Sequence, residues 1–450
     1  MIVSEKIKAL LETVVYLKEV AETKPVFLTN DAKPNFKEAM LRTKFTKYDI
    51  DEAEKRLSRF APFIMAAFPE TIEANGLIES KLSSIDELKD DLESYYQTEI
   101  AGKLWLKRDD LLPIAGTIKA RGAIYEVLKH AESLALDKGM LSSIEEDYVV
   151  FASQAFKDFF SNYRIVVGTT GNLGISVGVM GAKLGFEVTV HMSVEAKEWK
   201  KNLLRSRGVT VIEHETNFTQ AVQMGRSQSL QDEQSYFVDD EFSEELFLGY
   251  TVAGSRLKEQ LSQLDIQVDE EHPLFVYLPC GIGGSPGGIT FGLKQVYGDH
   301  VHCFFAEPTQ MPSMLIGLMT KEYDQVSIDD FNIDGSLTNM DGLAVPRTSG
   351  FVAKLMHNFF DGGYTVSEKD NFTFLRTLVD KKDIALEPAA VVGVTGPARL
   401  FSSAQGQSYI KAKGLEDKMK QANHISWATG GSMVPEADRQ EFYNAIDQYL

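Results

Sequence analysis

A lysine at the start of a helix-like segment is the first residue that could carry out chemistry. Residues 115–131 read AGTIKARGAIYEVLKHA, and their apolar residues recur at the spacing of one helix face. Thr117 is a candidate N-cap, because its hydroxyl can accept from N–H groups of the first turn. Lys119 then lies in that turn, where the helix dipole disfavours an ammonium ion. The position suits a nucleophilic or Schiff-base lysine; a solvated lysine near a helix start is the simpler alternative.

A glycine-rich loop lies further along the chain, between a predicted strand and a predicted helix. Residues 281–288 read GIGGSPGG, with five glycines in eight positions. Glycine permits positive φ and close approach of a ligand to the backbone, and N–H groups at a helix start can hold a phosphate. Pro286 stands where the dinucleotide fingerprint requires its third glycine, and no Gly-Lys-Ser/Thr follows. The loop therefore predicts a cradle for a single phosphate, with a ligand-free glycine loop as the alternative.

A polar turn follows the predicted strand RIVVG at residues 164–168. The turn reads TTGN, residues 169–172, and leads into a helix-like segment. Polar groups at the carboxyl ends of parallel strands commonly bind ligands. The alternative is that Thr170 and Asn172 only form the turn and cap the next helix.

These three features together suggest pyridoxal phosphate (PLP), which needs a Schiff-base lysine, a phosphate pocket and a partner for its ring nitrogen. Six motifs occur in order: GTIKARGAIYEVLKHAE, GTTGNLGISVG, YLPCGIGGSPGG, FFAEP, IALEPAA and WATGG. The set strongly resembles the bacterial D-serine dehydratase family, which belongs to the fold-type II (tryptophan synthase β) class of PLP enzymes. The resemblance covers nearly the whole chain, and it is more specific for the family than for the substrate.

The resemblance implies a role for each matching residue. Lys119 would form the Schiff base with PLP, Asn172 would bind the ring hydroxyl, and Thr429 would face the ring nitrogen. The implied cofactor residues are Lys119, Asn172, Gly281, Gly283, Gly284 and Thr429, and the implied substrate residues are Thr169, Thr170, Gly171 and Asn172. A threonine can donate to an unprotonated pyridine, which makes the ring a weaker electron sink than an aspartate partner would. A weaker sink favours prompt loss of a β-substituent.

The implied reaction is the α,β-elimination of D-serine to pyruvate and ammonia, with D-threonine, which would yield 2-oxobutanoate, as a candidate second substrate. Lys119 is the natural base for an L-substrate. A D-substrate could present its Cα proton to the other cofactor face, where Thr170 or the Asp239–Asp240 pair are candidates. An L-serine/L-threonine dehydratase or a serine racemase on the same fold is the alternative. A non-catalytic phosphate-ligand or nucleotide-binding protein is the alternative from another class.

Three further residues carry expectations. Glu307, in FFAEP, matches a position where related enzymes bind a cation, and K⁺ or Na⁺ is expected; a carboxylate that caps or pairs with a neighbour is the alternative. Glu387, in LEPAA, could line the cofactor pocket or cap the following helix, and a structural role is favoured. Ser285 interrupts what is often a longer glycine run in the family, which raises the question of loop geometry because a non-glycine residue resists positive φ.

The elements that must position these residues form an α/β pattern. Strand–turn–helix segments recur around residues 164–214 and 273–308, and each is typical of a βαβ unit with parallel strands. With the resemblance, this predicts a large PLP-binding domain from residues 1–154 and 262–450 and a small inserted α/β domain from 155–261. Each domain is expected to hold a mainly parallel sheet flanked by helices.

Composition limits the class of protein. The chain has 450 residues with 44% hydrophobic and 25% charged residues, which is ordinary for a globular protein. A net charge of −19 argues against nucleic acid and anionic membranes as partners. Two cysteines are too few for a disulfide framework. The N-terminal segment is expected to be one amphipathic helix rather than a signal peptide. We expect a cytoplasmic enzyme, and the resemblance favours a monomer.

Overall fold

The computed structural model describes residues 4–169, 171–194, 196–215 and 218–449. Its eleven strands alternate with helices along most of the chain. The strands are β1 (Phe27–Thr29), β2 (Leu82–Ser84), β3 (Lys103–Arg108), β4 (Arg164–Gly168), β5 (Glu187–Ser193), β6 (Thr210–His214), β7 (Ser235–Val238), β8 (Leu274–Pro279), β9 (Val301–Pro308), β10 (Gly362–Val366) and β11 (Asn423–Ala428).

The α-helices of the described residues are numbered in the same way. They are α1 (Glu5–Thr13), α2 (Leu17–Ala21), α3 (Phe36–Met40), α4 (Lys47–Arg59), α5 (Ala61–Ala67), α6 (Lys89–Tyr96), α7 (Lys119–Asp137), α8 (Gln154–Phe160), α9 (Asn172–Leu184), α10 (Glu198–Ser206), α11 (Phe218–Ser229), α12 (Glu244–Thr251), α13 (Ala253–Gln263), α14 (Gly284–Tyr297), α15 (Ser313–Thr320), α16 (Gly350–Met356), α17 (Glu368–Lys382), α18 (Gly396–Ser402), α19 (Ala404–Ala412) and α20 (Glu436–Asn444).

The chain forms two compact units, each built on its own sheet. Unit 1 comprises residues 1–46, 81–110 and 253–450, and unit 2 comprises residues 47–80 and 111–252. These bounds differ from the predicted division into 1–154 with 262–450 and 155–261. The first part of the chain supplies residues 47–80 and 111–154 to unit 2, because α7 packs against α9 and α12 there. Lys119 therefore belongs to the unit of the smaller sheet.

Unit 1 contains a seven-stranded sheet in the order β1-β10-β9-β8-β11-β3-β2. The five inner strands run parallel, and the short strands β1 and β2 pair antiparallel at the two edges. Strands β8, β9 and β11 are buried along their whole length, as expected for a sheet that has helices on both faces. This unit confirms the predicted α/β class and the predicted strands at residues 274–279 and 301–308.

Unit 2 contains a four-stranded, fully parallel sheet in the order β6-β5-β4-β7. Helix α7 crosses α12 closely where two glycines meet. A Cβ at Gly249 would lie 2.9 Å from Gly122 Cα, and a Cβ at Gly122 would lie 2.6 Å from the Tyr250 ring. The two helices can approach this closely only because both positions lack side chains, so α12 fixes the first turn of α7, which begins with Lys119.

Some sequence expectations need correction. The N-terminal segment is two short helices, α1 and α2, because Tyr16 between them takes a left-handed conformation with φ of 65°. Strands β1, β2 and β10 were not predicted, since they are short or lack an alternating pattern. In the part of the chain that the structure describes, no helix is both long and apolar enough to span a membrane.

Candidate active site

Helix α7 begins at Lys119, as the sequence suggested, but it is not capped by Thr117. The N-cap is Ile118, and it makes no side-chain capping bond. The Thr117 hydroxyl lies 3.5 Å from the Lys119 backbone nitrogen, which is too long for an effective hydrogen bond. The lysine is mostly buried, with 18% of its side chain exposed. A solvated lysine at a helix start would be far more exposed, so that alternative does not fit.

The Lys119 amine faces an acidic side chain of the same unit. Its Nζ donates to Asp240 Oδ2 at 3.0 Å and lies 3.4 Å from Oδ1. The neighbouring Asp239 is held elsewhere, because Arg226 donates to both of its oxygens, at 2.8 and 3.0 Å. Of the acidic pair singled out in the sequence, Asp240 is therefore the one that reaches Lys119.

The turn after β4 lies beside the segment that carries Asp240. Val167 of β4 is in register with Val238 of β7, and the two strands run parallel. Thr169 and Asp240 each follow this pair by two residues, so they lie at the same end of the two strands. Carboxyl ends of neighbouring parallel strands meet at one edge of a sheet. The structure thus places Thr169, the turn and the Lys119–Asp240 pair along one edge of the unit 2 sheet.

The turn itself is built around Gly171, which is the N-cap of α9. The Thr169 hydroxyl accepts from Gly171 N at 3.0 Å. No side chain caps α9, so its first N–H groups can receive an anion. The alternative that Asn172 caps this helix is not seen, since Asn172 is its first residue. Thr170, the predicted base, lies outside the described residues.

A buried carboxyl group organises the segment around Asp240. Glu126 of α7 accepts from the hydroxyls of Tyr236 and Ser243, both at 2.8 Å. Tyr236 lies in β7, before Asp240 in the chain, and Ser243 is the N-cap of α12, so one carboxyl group holds both ends of the loop that carries Asp240. Burial raises the pKa of Glu126 to about 8, against the two hydroxyl hydrogen bonds that lower it.

Unit 1 carries the predicted phosphate loop between β8 and α14. Gly283 is the N-cap of α14, has φ of 111°, and no side chain caps the helix. A Cβ at Gly283 would lie 2.2 Å from Met314 Cε, and one at Gly281 would lie 3.1 Å from Leu343 Cα. The left-handed φ of Gly283 therefore favours glycine there, and at Gly281 a side chain would crowd the neighbouring backbone. The loop leaves the first N–H groups of α14 to an anion, which fits the phosphate of PLP.

Ser285 does not disturb the loop. It lies in the first turn of α14 and is not among the residues with positive φ. Pro286 follows it in the same turn, where a missing N–H removes no helical hydrogen bond. The question raised by the serine is therefore settled, because Gly283 alone takes the left-handed conformation within this loop.

The other predicted residues of unit 1 lie at the same edge of its sheet. Gly284 and Thr429 follow the neighbouring strands β8 and β11, and Glu307 is the last residue but one of β9. Thr429 is buried. Glu387 is the N-cap of a short 3₁₀ turn, but its side chain does not cap that turn, and its structural role stays a prediction.

Glu307 is fully enclosed by protein. Its two carboxylate oxygens accept from the backbone N–H groups of Met314 and Leu315, both at 2.8 Å. Burial raises its pKa to about 8, partly offset by these two bonds. Among the described residues, no group of three or more His, Cys, Asp or Glu side chains is placed to hold a metal ion.

Comparison with known proteins identifies the family. Residues 92–409 match the family described as Pyridoxal-phosphate dependent enzyme. The chain belongs to this family. It is 56% identical to a probable D-serine dehydratase of Geobacillus stearothermophilus, over 95% of this chain and 93% of that protein. It is 51% identical to a probable D-serine dehydratase of Bacillus mycoides (strain KBAB4), over 98% of both chains.

Solved structures share the fold at low sequence identity. Holo diaminopropionate ammonia lyase from Escherichia coli superposes with a TM-score of 0.68 at 17% identity, covering 95% of this chain and 97% of that one. The same enzyme has been solved in complex with D-serine, with a TM-score of 0.66 and the same coverage and identity. These neighbours confirm the fold-type II architecture of this PLP-dependent enzyme.

Sequence reasoning gave Asp240 a different role and missed the burial of two charged residues of unit 2. Asp240 was noted only as a candidate base, whereas it is the ion-pair partner of Lys119. Glu126 lies two helical turns after Lys119, a spacing that places both on one face of α7, but nothing in the sequence marks it as buried. Lys200 stands in the charged run EWKK, which resembles a solvated helix, yet it is buried.

Proposed function

We propose that this protein is a PLP-dependent D-serine ammonia-lyase, which converts D-serine to pyruvate and ammonia, with D-threonine as a second substrate. One geometric observation carries the reaction type: a buried lysine amine lies against a carboxylate, beside a turn that offers N–H and hydroxyl donors. The substrate rests on relatives of 51–56% identity named probable D-serine dehydratase.

In this proposal each group of cofactor residues binds a different part of PLP. Lys119 supplies the amine that holds PLP covalently, and Asn172 donates to its ring hydroxyl. Gly281, Gly283 and Gly284 present backbone N–H groups to its phosphate. Thr429 faces the ring nitrogen. When bound, PLP supplies an electron-accepting ring that stabilises the carbanion left by Cα deprotonation.

The substrate residues hold D-serine by its carboxylate. Thr169, Thr170, Gly171 and Asn172 form the turn that receives it, at the uncapped N-terminus of α9. A base removes the Cα proton, and the Cβ–O bond breaks as hydroxide leaves and is protonated to water. Hydrolysis of the resulting enamine consumes one water and releases ammonia and pyruvate. We assign removal of the Cα proton of a D-substrate to Thr170. Proton transfer to the leaving hydroxyl is assigned to Lys119 together with Asp240.

Pyruvate release from D-serine and from L-serine, in separate reactions of the PLP-loaded protein with K⁺ present, tests the proposal. Release from D-serine supports it, while release chiefly from L-serine would make Lys119 the base and the protein an L-serine dehydratase. Conversion between the two enantiomers without pyruvate would indicate a racemase. Thr170→Val should abolish D-serine turnover and Cα proton exchange; a variant that retains both removes Thr170 from the mechanism.

The covalent role of Lys119 has its own test. Borohydride should fix PLP to the wild-type protein, and mass spectrometry should locate the adduct on Lys119, whereas Lys119→Ala should bind PLP without forming one. Absence of any visible chromophore after PLP is added to the wild type would instead favour a non-catalytic phosphate-binding protein.

We also propose a monovalent cation, K⁺ or Na⁺, at Glu307. Its carboxylate is buried with only neutral donors bonded to it, and an adjacent cation would stabilise its charged form. K⁺ or Na⁺ should then raise activity above the level in tetramethylammonium, and Glu307→Gln should lose this response. An unchanged K⁺ response in the variant would leave Glu307 as a cap of α15.

We further propose that the enzyme is a monomer and that it is located in the cytoplasm. Light scattering of the PLP-loaded protein should give the mass of one 50.2 kDa chain, and fractionation of the source cells should place activity in the cytoplasm. A dimer or larger mass, or activity in another fraction, would contradict these parts without affecting the reaction.

A further inference from the structure

The loop of residues 239–243, which joins β7 to α12, is held at both ends by one side chain of α7. Hydrogen bonds of 2.8 Å join the two carboxyl oxygens of Glu126 to the hydroxyls of Tyr236 and Ser243. Tyr236 lies in β7 before the loop, and Ser243 ends the loop as the N-cap of α12. Since each oxygen bonds to a different end, the carboxyl group fixes the separation of the two ends.

A second side chain holds the middle of the 239–243 loop. Arg226 of α11 donates to both oxygens of Asp239, at 2.8 and 3.0 Å, and to Glu241 at 2.9 Å. The residues on either side of Asp240 are therefore both bound to the same guanidinium group. Asp240 itself accepts from Lys119 Nζ at 3.0 Å. The loop thus presents one of its three consecutive carboxylates to the lysine.

Glu126 and Lys119 belong to the same helix, which makes α7 a common frame for the pair. Lys119 is the first residue of α7, and Glu126 follows it by two helical turns on the same face. Asp240 meets α7 at Lys119, while the ends of its loop meet α7 at Glu126. The distance from the lysine amine to Asp240 is therefore determined by a regular helix as well as by the loop.

A buried carboxyl group at position 126 is an unfavourable choice for packing alone. Glu126 is 1% exposed, and burial raises its pKa to about 8. The charges of Glu245 and Asp240 also raise this pKa, while the two hydroxyl hydrogen bonds lower it. An apolar side chain of similar volume would avoid the cost of burying this group. The hydrogen bonds to the 239–243 loop are what an apolar residue could not supply.

We propose that Glu126 is a positioning residue for the reaction: through Tyr236 and Ser243 it holds the 239–243 loop so that Asp240 stays against the Lys119 amine. This rests on the proposed function, in which Lys119 together with Asp240 transfers a proton to the leaving hydroxyl. A misplacement of about 1 Å in such a group can lower the rate about 100-fold. Substrate affinity should change little, because the proposed function assigns the substrate carboxylate to the 169–172 turn.

The test removes the two hydroxyls one at a time and compares them with a matched control. Tyr236→Phe and Ser243→Ala should each lower kcat for D-serine by about 10- to 100-fold with a much smaller change in KM. The control is Tyr148→Phe, because the Tyr148 hydroxyl donates at 2.7 Å to Glu132, another buried glutamate of α7. This variant should lower Tm and leave kcat and KM unchanged.

A double-mutant cycle separates positioning from a general loss of stability. If the Tyr236 hydroxyl acts through Asp240, Tyr236→Phe should cause no further loss of kcat in an Asp240→Asn background. A general loss of stability would lower kcat by the same factor in both backgrounds. Glu126→Leu should lower kcat at least as much as Tyr236→Phe, and Glu126→Gln should recover part of the loss because its amide oxygen still accepts from one hydroxyl. If the leucine variant does not fold, the two hydroxyl variants carry the test.

The visible absorption spectrum of the PLP-loaded protein gives a readout without substrate. Asp240→Asn removes a carboxylate next to the lysine that holds PLP in the proposed function, so it should alter this spectrum. Tyr236→Phe should alter the spectrum in the same direction, because it displaces the same carboxylate. Tyr148→Phe should keep the wild-type spectrum.

Three outcomes would overturn the proposal: an unchanged kcat in both hydroxyl variants, an equal loss of kcat in Tyr148→Phe, or fully additive losses in the double variant. Failure of the proposed function gives a different result. If the wild type releases no pyruvate from D-serine but Tyr236→Phe and Asp240→Asn alter the spectrum in the same way, the positioning of Asp240 stands and the assigned reaction falls.

Discussion

Replacement of Glu126 by glutamine should make the protein more stable at alkaline pH and less stable at acid pH. Burial raises the pKa of this carboxyl group from 4.5 to about 8. Between these two values the native state binds a proton that the unfolded state has released, so the free energy of unfolding falls as pH rises through this window. Glutamine is neutral throughout and has no such dependence.

The size of the effect follows from the change in pKa. At 1.36 kcal/mol for each pH unit, the rise from 4.5 to about 8 corresponds to at most about 5 kcal/mol. Glutamine keeps an acceptor for only one of the hydroxyls of Tyr236 and Ser243, which costs about 1–3 kcal/mol. We therefore expect Glu126→Gln to be less stable than the wild type at pH 4 and more stable by roughly 2–4 kcal/mol above pH 8.

Urea unfolding at a series of pH values, followed by a probe in unit 2, measures this directly. Glu132→Gln is the matched control, because Glu132 lies on the same helix and is also buried. Burial raises the pKa of Glu132, but its hydrogen bonds and charge interactions, with Arg56 foremost, lower it overall. Its stabilisation is present at neutral pH and is lost in acid, so Glu132→Gln should destabilise only at the higher pH values. Parallel pH profiles for the wild type and Glu126→Gln would refute the argument.

Two further predictions concern the cofactor and the reaction. Gly283→Ala forces a side chain into a left-handed position, with its Cβ 2.2 Å from Met314 Cε. PLP affinity, measured by fluorescence titration of the apoprotein, should therefore fall at least tenfold. Unchanged affinity would mean that the loop does not hold the phosphate. Asp240→Asn removes the negative charge 3.0 Å from Lys119 Nζ. We expect kcat to fall about 10²–10⁴-fold, the usual range for a proton-transfer group, with little change in PLP content. An unchanged kcat and an unchanged pH profile would exclude Asp240 from proton transfer.

The local sequence predicted the elements with strong local signals. The predicted strands at residues 164–168, 274–279 and 301–308 match β4, β8 and β9 exactly, because buried parallel strands are continuous apolar runs bounded by glycine and proline. The glycine loop and its lack of a dinucleotide fingerprint were also readable. The first-turn position of Lys119 was inferred from an N-cap at Thr117; the position is confirmed, but the N-cap is Ile118.

Long-range packing decided the remainder. Which unit holds α7 depends on its close crossing with α12 at Gly122 and Gly249, and these residues are more than 120 positions apart in the sequence. The edge strands β1 and β2 have only three residues each, which is too short to show the alternation of apolar and polar residues that marks a strand. Their pairing is determined by neighbours distant in the chain.

The sequence by itself determined the chemistry available: a lysine at a helix start, a glycine loop suited to one phosphate, and a polar turn after a parallel strand. Those signals are local, because backbone conformation and hydrogen-bonding capacity depend on residues a few positions apart. Only the tertiary structure decided the electrostatics, namely that Asp240 faces Lys119, that Glu126 is buried and that Lys200 reaches Gly171. Burial and charge proximity are properties of packed segments, and the same side chains in an extended chain would carry neither.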